Sequence, residues 1–188
     1  MSQSGRLILV VGPSGSGKDT LLDAARERFA GTAGLSFARR DITRPETAGG
    51  ENHRAVSVVE FEENLRAGNY PLHWDAHQLR YGVPMTELMP LERGEVVILN
   101  GSRSVVDEVL AYNPNAHIVS IRVGEDILQG RLRQRAREDE RSVQARLKRA
   151  DAFDVTGPYV TEVWNEGSVE EGCARFNEAL EAALKGYV

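Results

Sequence analysis

The feature that most restricts the fold of this chain is a predicted strand followed directly by a glycine-rich turn and then by a predicted helix. The segment RLILVV (Arg6 to Val11) is continuously apolar and rich in Ile and Val, which is typical of a strand buried in a parallel sheet. The next nine residues read GPSGSGKDT, and the spacing of Leu21, Ala25 and Phe29 after them predicts a helix. The chain therefore needs a fold in which a buried strand ends at the N-terminus of a helix.

The glycine-rich turn has the composition of a phosphate-binding loop. Its glycines allow tight positive-φ turns and let the backbone approach an anion without a Cβ clash. Successive N–H groups and the start of the next helix then form a cradle for the phosphates of ATP, and Lys18 would reach the β- and γ-phosphates. The predicted ATP-binding residues of the loop are Gly12, Pro13, Ser14, Gly15, Ser16, Gly17, Lys18, Asp19 and Thr20.

Asp19 occupies the position where such a loop ordinarily carries Ser or Thr. A carboxylate there is a good ligand for a hard cation, but it repels phosphate. The predicted strand VVILN ends in Asn100, where many such enzymes carry an aspartate near the metal. One hypothesis is that the negative charge has been relocated, so that Asp19 serves Mg²⁺ directly or through water. The alternative is that Asp19 caps the helix and Thr20 serves the metal.

The order of the other predicted elements favours a single α/β domain with a parallel sheet flanked by helices. Further strands are predicted at 94–102, 116–123 and 161–165, and helices at 104–112, 124–136, 140–153 and 169–186. Short extended pieces and a helix at 58–68 indicate an inserted substrate-binding subdomain. The predicted division is a core of residues 5–34, 94–128 and 150–188, a subdomain of about 35–93 and a lid of about 129–149.

Composition limits the partners of the chain. A length of 188 residues suits one domain with its own core, and a net charge of −5 argues against generic nucleic-acid binding. The early apolar run is too short for a signal-peptide core, and no stretch approaches transmembrane length. Cys173 is the single cysteine, so no internal disulfide can form. We expect a cytoplasmic protein without nucleic-acid or membrane partners, and a homodimer stays open.

Two arginine-rich segments are candidates for binding further phosphate oxygens. In the subdomain, Arg44 lies among turn residues and Tyr81 precedes a glycine, whereas Arg39 and Arg54 are interpreted as solvated. In the lid, Arg131 and a second arginine four residues later share a helical face. Phosphoryl transfer needs such positive groups around the moving phosphoryl group.

Four features together resemble the guanylate-kinase-like branch of phosphate-loop kinases. They are the strand followed by GPSGSGK, the ITRP segment, the YGV segment and the arginine-rich pair of helices. The resemblance runs over essentially the whole chain. It implies that Arg44 and Tyr81 hold the acceptor phosphate and that Asn165 lies beside the adenine. It also implies that Arg131, Arg135 and Arg146 serve the lid and the transfer. Together with Lys18 of the loop, they are the predicted catalytic residues.

Departures from guanylate kinases point to a narrower family. His53 stands where they carry a phosphate-binding tyrosine, Ala76 stands near their guanine-reading glutamate, and their second arginine is missing after ITRP. Four segments together resemble the ribose 1,5-bisphosphate phosphokinases of phosphonate breakdown. With a hyphen for any residue, they are GPSGSGKD, ITR followed by AG-ENH-A-S, W-A followed by L-YGV, and NGSR. That resemblance implies transfer from ATP to ribose 1,5-bisphosphate, giving ADP and 5-phospho-α-D-ribose 1-diphosphate.

The implied acceptor is physically coherent with these residues. Its reacting atom is an ionised phosphate oxygen, so no general base is needed. Its second phosphate calls for extra contacts, for which Ser102 and Arg103, with Arg40 or His53, are the candidates. The alternatives are a guanylate kinase or another nucleoside monophosphate kinase, and a non-catalytic binding module. The loop lysine and the lid arginines argue against the module.

Overall fold

Strands and helices alternate over most of the chain, as the sequence predicts. The computed structural model describes residues 5–45, 51–135, 155–185 and 187, without the side chains of residues 134 and 135. The strands described are β1 (Arg6–Val11), β2 (Leu35–Phe37), β3 (Arg40–Ile42), β4 (His53–Ala55), β5 (Leu72–Ala76), β6 (Leu79–Val83), β7 (Val96–Asn100), β8 (His117–Arg122) and β9 (Val160–Trp164).

The helices frame these strands. They are α1 (Lys18–Arg28), α2 (Val58–Arg66), α3 (Met85–Leu88), α4 (Val106–Tyr112), α5 (Glu125–Arg135) and α6 (Val169–Leu184), with 3₁₀ turns at Met89–Arg93 and Arg103–Val105. Both α2 and α6 begin at a capping box, in which a serine accepts from the N3 backbone N–H and a glutamate returns the bond. None of the described helices is long and apolar enough to span a membrane.

A five-stranded parallel sheet forms the centre of the molecule, in the order β2-β7-β1-β8-β9. This confirms the predicted parallel α/β core. The helix predicted at 140–153 lies outside the described residues. The short helix α3 and the 3₁₀ turn after it are additional to the sequence prediction.

The central strand β1 contributes to two hydrophobic cores at once. Its residues 7–11 have no exposed surface. Because side chains alternate along a strand, Leu7 and Leu9 pack on the face that includes Trp74, while Ile8 packs on the face that includes Phe176 of α6. A strand buried on both faces explains the continuously apolar sequence that predicts it.

A second sheet of four short strands, in the order β4-β3-β6-β5, forms the subdomain. Strands β5 and β6 are an antiparallel hairpin, and β3 pairs parallel with β4 and antiparallel with β6. The subdomain side chains Trp74, Tyr81 and Val83 share a core with β1 and β7. Strand β2 pairs with β7 in the larger sheet, so the chain passes from the larger to the smaller sheet between Phe37 and Arg40.

Asn113 completes the hydrogen bonding of β1 where β8 does not reach. The β1–β8 ladder begins at Ile8. On the N-terminal side of Ile8, the side-chain amide of Asn113 accepts from Leu7 N–H at 3.2 Å and donates to the Gly5 carbonyl at 3.0 Å. The side chain therefore replaces a neighbouring strand for two backbone groups. Asn113 is itself only 4% exposed, so water cannot readily take over these bonds.

Replacing Asn113 with Ala is expected to lower the free energy of unfolding by about 1–3 kcal/mol, because two buried backbone groups lose their partner. Urea denaturation followed by circular dichroism measures this change. The exposed neighbour Asn115 provides the matched control, and Asn115→Ala should stay within about 0.5 kcal/mol of wild type. Equal effects of the two substitutions would contradict the assigned role of Asn113.

Candidate active site

Two cavities open where the carboxyl ends of the parallel strands meet, which is the edge where open α/β sheets bind ligands. The loop–hairpin cavity lies between the glycine loop and the β5–β6 hairpin. Its walls comprise Gly12, Ser14, Gly15, Ser16, Gly17, Lys18, Asp19, Arg40, Glu51, Trp74, Ala76, His77, Tyr81, Asn100, Gly101 and Ser102. The loop–helix cavity, on the α6 side of the loop, is walled by Gly15, Gly17, Thr20, Leu21, Arg131, Asn165, Gly167, Ser168 and Val169.

The loop between β1 and α1 adopts a conformation that depends on glycine. Gly17 has a φ of +88°, which residues with side chains rarely adopt, and a Cβ there would lie 2.6 Å from the side-chain nitrogen of Asn165. The Lys18 ammonium donates to the carbonyl oxygens of Gly12 (2.9 Å) and Pro13 (3.3 Å). The loop thus holds a cation at the start of α1, an arrangement suited to binding phosphates.

Asn165, directly after β9, supports this loop. Its Nδ2 donates to the Ser16 carbonyl at 2.7 Å, and its backbone N–H donates to the Arg122 carbonyl at 2.9 Å. A Cβ on Gly172 would lie 2.3 Å from its Oδ1, so a glycine is needed beside it. Asn165 lines the loop–helix cavity, where the resemblance places the adenine. Contact with adenine remains a prediction, and the structure adds a loop-positioning role.

Asp19 and Asn100 are in direct contact. The Asn100 Nδ2 donates to Oδ1 of Asp19 at 3.1 Å and to Oε2 of Glu51 at 3.4 Å. The N-cap of α1 is Gly17, so Asp19 is not the capping residue of the alternative hypothesis. An aspartate at position 100 would place three carboxylates together, and the amide avoids that repulsion. This strand therefore ends in an amide that contacts the loop carboxylate, and a metal-binding role for Asp19 remains a prediction.

Arg40 is a buried cation in the wall of the loop–hairpin cavity. It pairs with Glu51, and its guanidinium lies 5.5 Å and 5.2 Å from the ring centroids of Trp74 and Tyr81. These rings stack at 5.4 Å because they lie opposite each other in the hairpin. Burial lowers the pKa of Arg40 to about 10, which leaves it charged at neutral pH. Burial raises the pKa of Tyr81, so its hydroxyl remains a donor.

The strand that carries Arg40 is fixed from its other face. Side chains alternate along β3, so Asp41 points away from Arg40, and it is 1% exposed. The Asp41 carboxylate accepts from Nε of Arg54 at 2.7 Å and from the Tyr70 hydroxyl at 2.5 Å. Burial and the bond to Asp41 raise the pKa of Tyr70. Arg54, interpreted from the sequence as solvated, therefore anchors β4 to β3.

His53 does not make the substrate contact that the sequence predicts. It is 3% exposed, and its ring nitrogens lie 3.0 Å from the Glu51 carbonyl and 3.1 Å from the Arg44 carbonyl. The ring therefore bridges both ends of the turn between β3 and β4. The correction has a physical reason, since an imidazole with both nitrogens against backbone carbonyls has no atom left for a phosphate. The His53 ring thus contacts the backbone of Glu51, a residue of the cavity wall.

The other predicted acceptor-binding residues divide into two groups. Tyr81 and Ser102 line the loop–hairpin cavity. Arg44 lies outside the lining, with its guanidinium 3.9 Å from the Glu51 carboxylate. Arg103 begins the 3₁₀ turn directly after Ser102. Phosphate contacts by these four side chains remain predictions.

The predicted lid is described only at its start. Arg131 lines the loop–helix cavity, and its Nη1 is buried without a hydrogen-bond partner among the described residues. A buried guanidinium nitrogen without a hydrogen-bond partner is suited to binding an anionic ligand. Helix α5 is described as far as Arg135, whose side chain is not described, and Arg146 lies outside the described residues. The roles predicted for Arg135 and Arg146 therefore remain predictions.

Sequence reasoning missed three residues of the loop–hairpin cavity: Glu51, Trp74 and His77. The alternating pattern of LHWDA and LRYGV around two turn residues could have predicted the hairpin, and with it Trp74. The turn itself gives no such signal, because His77 and Gln78 have φ values of +53° and +60° where Asn or Gly is usual. Glu51 belongs to the ENH segment that carries the family resemblance, but that resemblance assigned it no role.

Known proteins resemble this chain in sequence and in fold. The AAA domain family matches residues 8–151. The ribose 1,5-bisphosphate phosphokinase PhnN of Rhizobium etli (strain CIAT 652) is 39% identical over 184 residues, covering 97% of this chain and 93% of the relative. Its namesake in Agrobacterium fabrum (strain C58) is 42% identical over 176 residues, covering 93% and 96%.

A solved guanylate kinase from Anaplasma phagocytophilum superposes with a TM-score of 0.63 at 20% identity, covering 97% of this chain and 87% of that one. At this identity the likeness concerns the fold, which is that of a phosphate-loop kinase. The two phosphokinase relatives match over nearly their full length at about twice that identity. The chain therefore carries an AAA domain and belongs to the ribose 1,5-bisphosphate phosphokinase family.

Proposed function

We propose that this enzyme transfers the γ-phosphoryl group of ATP to ribose 1,5-bisphosphate, giving ADP and 5-phospho-α-D-ribose 1-diphosphate in phosphonate degradation. The observation that carries the proposal is the loop–hairpin cavity, where the phosphate loop faces Arg40, Tyr81 and Ala76. It offers cations and a hydroxyl for phosphate groups. Ala76 presents a methyl group near the position where the resemblance puts the guanine-reading glutamate.

Each element of the cavity has a part in the transfer. Backbone N–H groups of the loop and Lys18 hold the ATP phosphates, and the Tyr81 hydroxyl donates to the acceptor phosphate. An oxygen of the 1-phosphate attacks the γ-phosphorus, the bond to the β–γ bridging oxygen breaks, and its electron pair leaves with ADP. The attacking oxygen is already ionised, so the chain needs only to position the two anions and stabilise their charge.

A divalent cation fits the donor set beside the loop. Asp19 supplies carboxylate oxygen atoms of the kind that Mg²⁺ prefers, and the Asn100 amide nitrogen donates to one of them. No group of three or more His, Cys, Asp or Glu side chains among the described residues could hold a metal by itself. Mg²⁺ usually keeps waters and takes one or two carboxylates with the nucleotide phosphates, where it neutralises charge. We assign this role to Asp19. A cytoplasmic location and a homodimer remain proposals.

The activity test is a comparison of acceptors. Purified protein with ATP and Mg²⁺ should release ADP faster with ribose 1,5-bisphosphate than with GMP, because the cavity grips two phosphates and lacks the base-reading glutamate. Coupled spectrophotometry measures ADP, and ³¹P NMR identifies the diphosphate product. Lys18→Ala is the inactive control. A preference for GMP would overturn the assignment and leave the fold intact.

The hypothesis that the metal-binding carboxylate has moved from position 100 to position 19 can be tested by returning it to position 100. Asp19→Ser alone should raise the half-saturating Mg²⁺ concentration by about 10–100-fold, since a carboxylate beside the metal is lost. The double variant with Asn100→Asp restores one carboxylate at the strand end and should recover most of that loss. Mg²⁺-dependent binding of a fluorescent ATP analogue gives a readout independent of turnover. A double variant as poor as Asp19→Ser would contradict the relocation.

The role of Asn165 predicts a selective effect on the nucleotide. Asn165→Ala should raise the KM for ATP by about tenfold, because the Ser16 carbonyl loses its donor and the loop loosens. The KM for ribose 1,5-bisphosphate should change little. Steady-state kinetics with each substrate varied separately measures both, with the distant Asn115→Ala as control. Equal rises in both KM values would point to general loss of structure.

A further inference from the structure

Glu51 places a negative charge in a cavity whose ligands are anionic. It lines the loop–hairpin cavity, and its side chain is 13% exposed. A carboxylate repels phosphate oxygens, so its presence there needs a positive reason. The following inference rests on the proposed function, since that function fixes the chemistry of the acceptor.

Glu51 is held in place from several sides. Its Oε2 pairs with Arg40 and accepts from the Asn100 amide at 3.4 Å, while its backbone carbonyl faces the His53 ring at 3.0 Å. Arg40 is in turn stacked against the hairpin rings and fixed on a strand whose other face is anchored by Asp41. The carboxylate is therefore a fixed feature of the cavity wall.

The second carboxylate oxygen can accept a further hydrogen bond. Oε1 of Glu51 forms an ion pair with the Arg44 guanidinium at 3.9 Å, a separation longer than a hydrogen bond. An ionised carboxylate has about four lone-pair positions and accepts only. The group that meets Oε1 must therefore be a hydrogen-bond donor or a cation.

The acceptor substrate has few donors. At neutral pH its phosphate groups are largely dianions, because the second phosphate pKa is about 6. The remaining donors are the two ring hydroxyls, on C2 and C3. We propose that Glu51 determines the specificity for ribose by accepting a hydrogen bond from one of these hydroxyls. Charged Arg40 and Arg44 beside it offset its repulsion of the phosphates.

The test compares three acceptors: ribose 1,5-bisphosphate and its 2-deoxy and 3-deoxy analogues. Wild type should prefer ribose over one of these analogues by about 10–100-fold in kcat/KM, the loss expected when a charged acceptor loses its donor. In Glu51→Ala that ratio should fall to about one, and in Glu51→Gln, which keeps a neutral acceptor oxygen, it should lie between. The ratio is the readout because Glu51 also neutralises Arg40, so absolute rates will change for more than one reason.

Glu62→Gln is the matched control. Glu62 pairs with Arg80 in the same subdomain, away from the cavity, and its substitution should leave the acceptor ratio unchanged. Thermal melting verifies that each variant folds. Where turnover is too slow to measure, the ratio of dissociation constants from calorimetry replaces the kinetic ratio, because it reports the same hydrogen bond.

Three results would overturn the inference. The first is an acceptor ratio that does not depend on Glu51, either because Glu51→Ala still rejects the same deoxy analogue as wild type does or because wild type rejects neither. The second is an equal loss for all acceptors with a raised Mg²⁺ requirement, which would make Glu51 part of the metal site. The third is a wild type that phosphorylates GMP and not ribose 1,5-bisphosphate, which would remove the proposed function itself. Failure of the inference alone leaves ribose 1,5-bisphosphate as the preferred acceptor.

Discussion

The hydrogen bonds of the Asn100 amide join the two halves of the site. One nitrogen donates to Asp19 of the phosphate loop and to Glu51 of the subdomain, and Glu51 pairs with Arg40. Asn100 ends β7, which lies next to β1 in the larger sheet, so the rigid centre of the fold fixes this residue. The loop and the small sheet thereby meet at a fixed spacing. A site for two anions depends on that spacing, because transfer requires the reacting oxygen and phosphorus to be aligned.

The same chain of contacts balances charge. Arg40 is 6% exposed, and an unpaired guanidinium in that position would carry a large desolvation cost. Pairing with Glu51 and stacking on two rings offset this cost. The cavity thus holds cations and carboxylates side by side, a composition suited to a ligand with both phosphates and hydroxyls. A purine nucleotide acceptor would instead require groups that read the edge of a base.

Sequence reasoning predicted what depends on local pattern. The apolar run of β1 and the helical spacing of the apolar residues in α1 are local, and the structure confirms the elements that they predict. The sequence did not reveal that Asn165 supports the loop, because the Ser16 carbonyl to which Asn165 donates lies 149 positions away along the chain. His53 was interpreted by position in a motif, whereas its buried ring closes a turn. Long-range hydrogen bonds of this kind leave no periodic trace in a sequence.

The proposed function requires that the loop–hairpin cavity receives a sugar bisphosphate and that its described residues form no subsite for a base. A crystal structure with ADP and 5-phospho-α-D-ribose 1-diphosphate bound tests it most directly. We expect the diphosphate between the phosphate loop and Arg40, with a ring hydroxyl of the pentose against Glu51. A product bound elsewhere, or a guanine of soaked GMP held by side-chain hydrogen bonds at the hairpin, would contradict it.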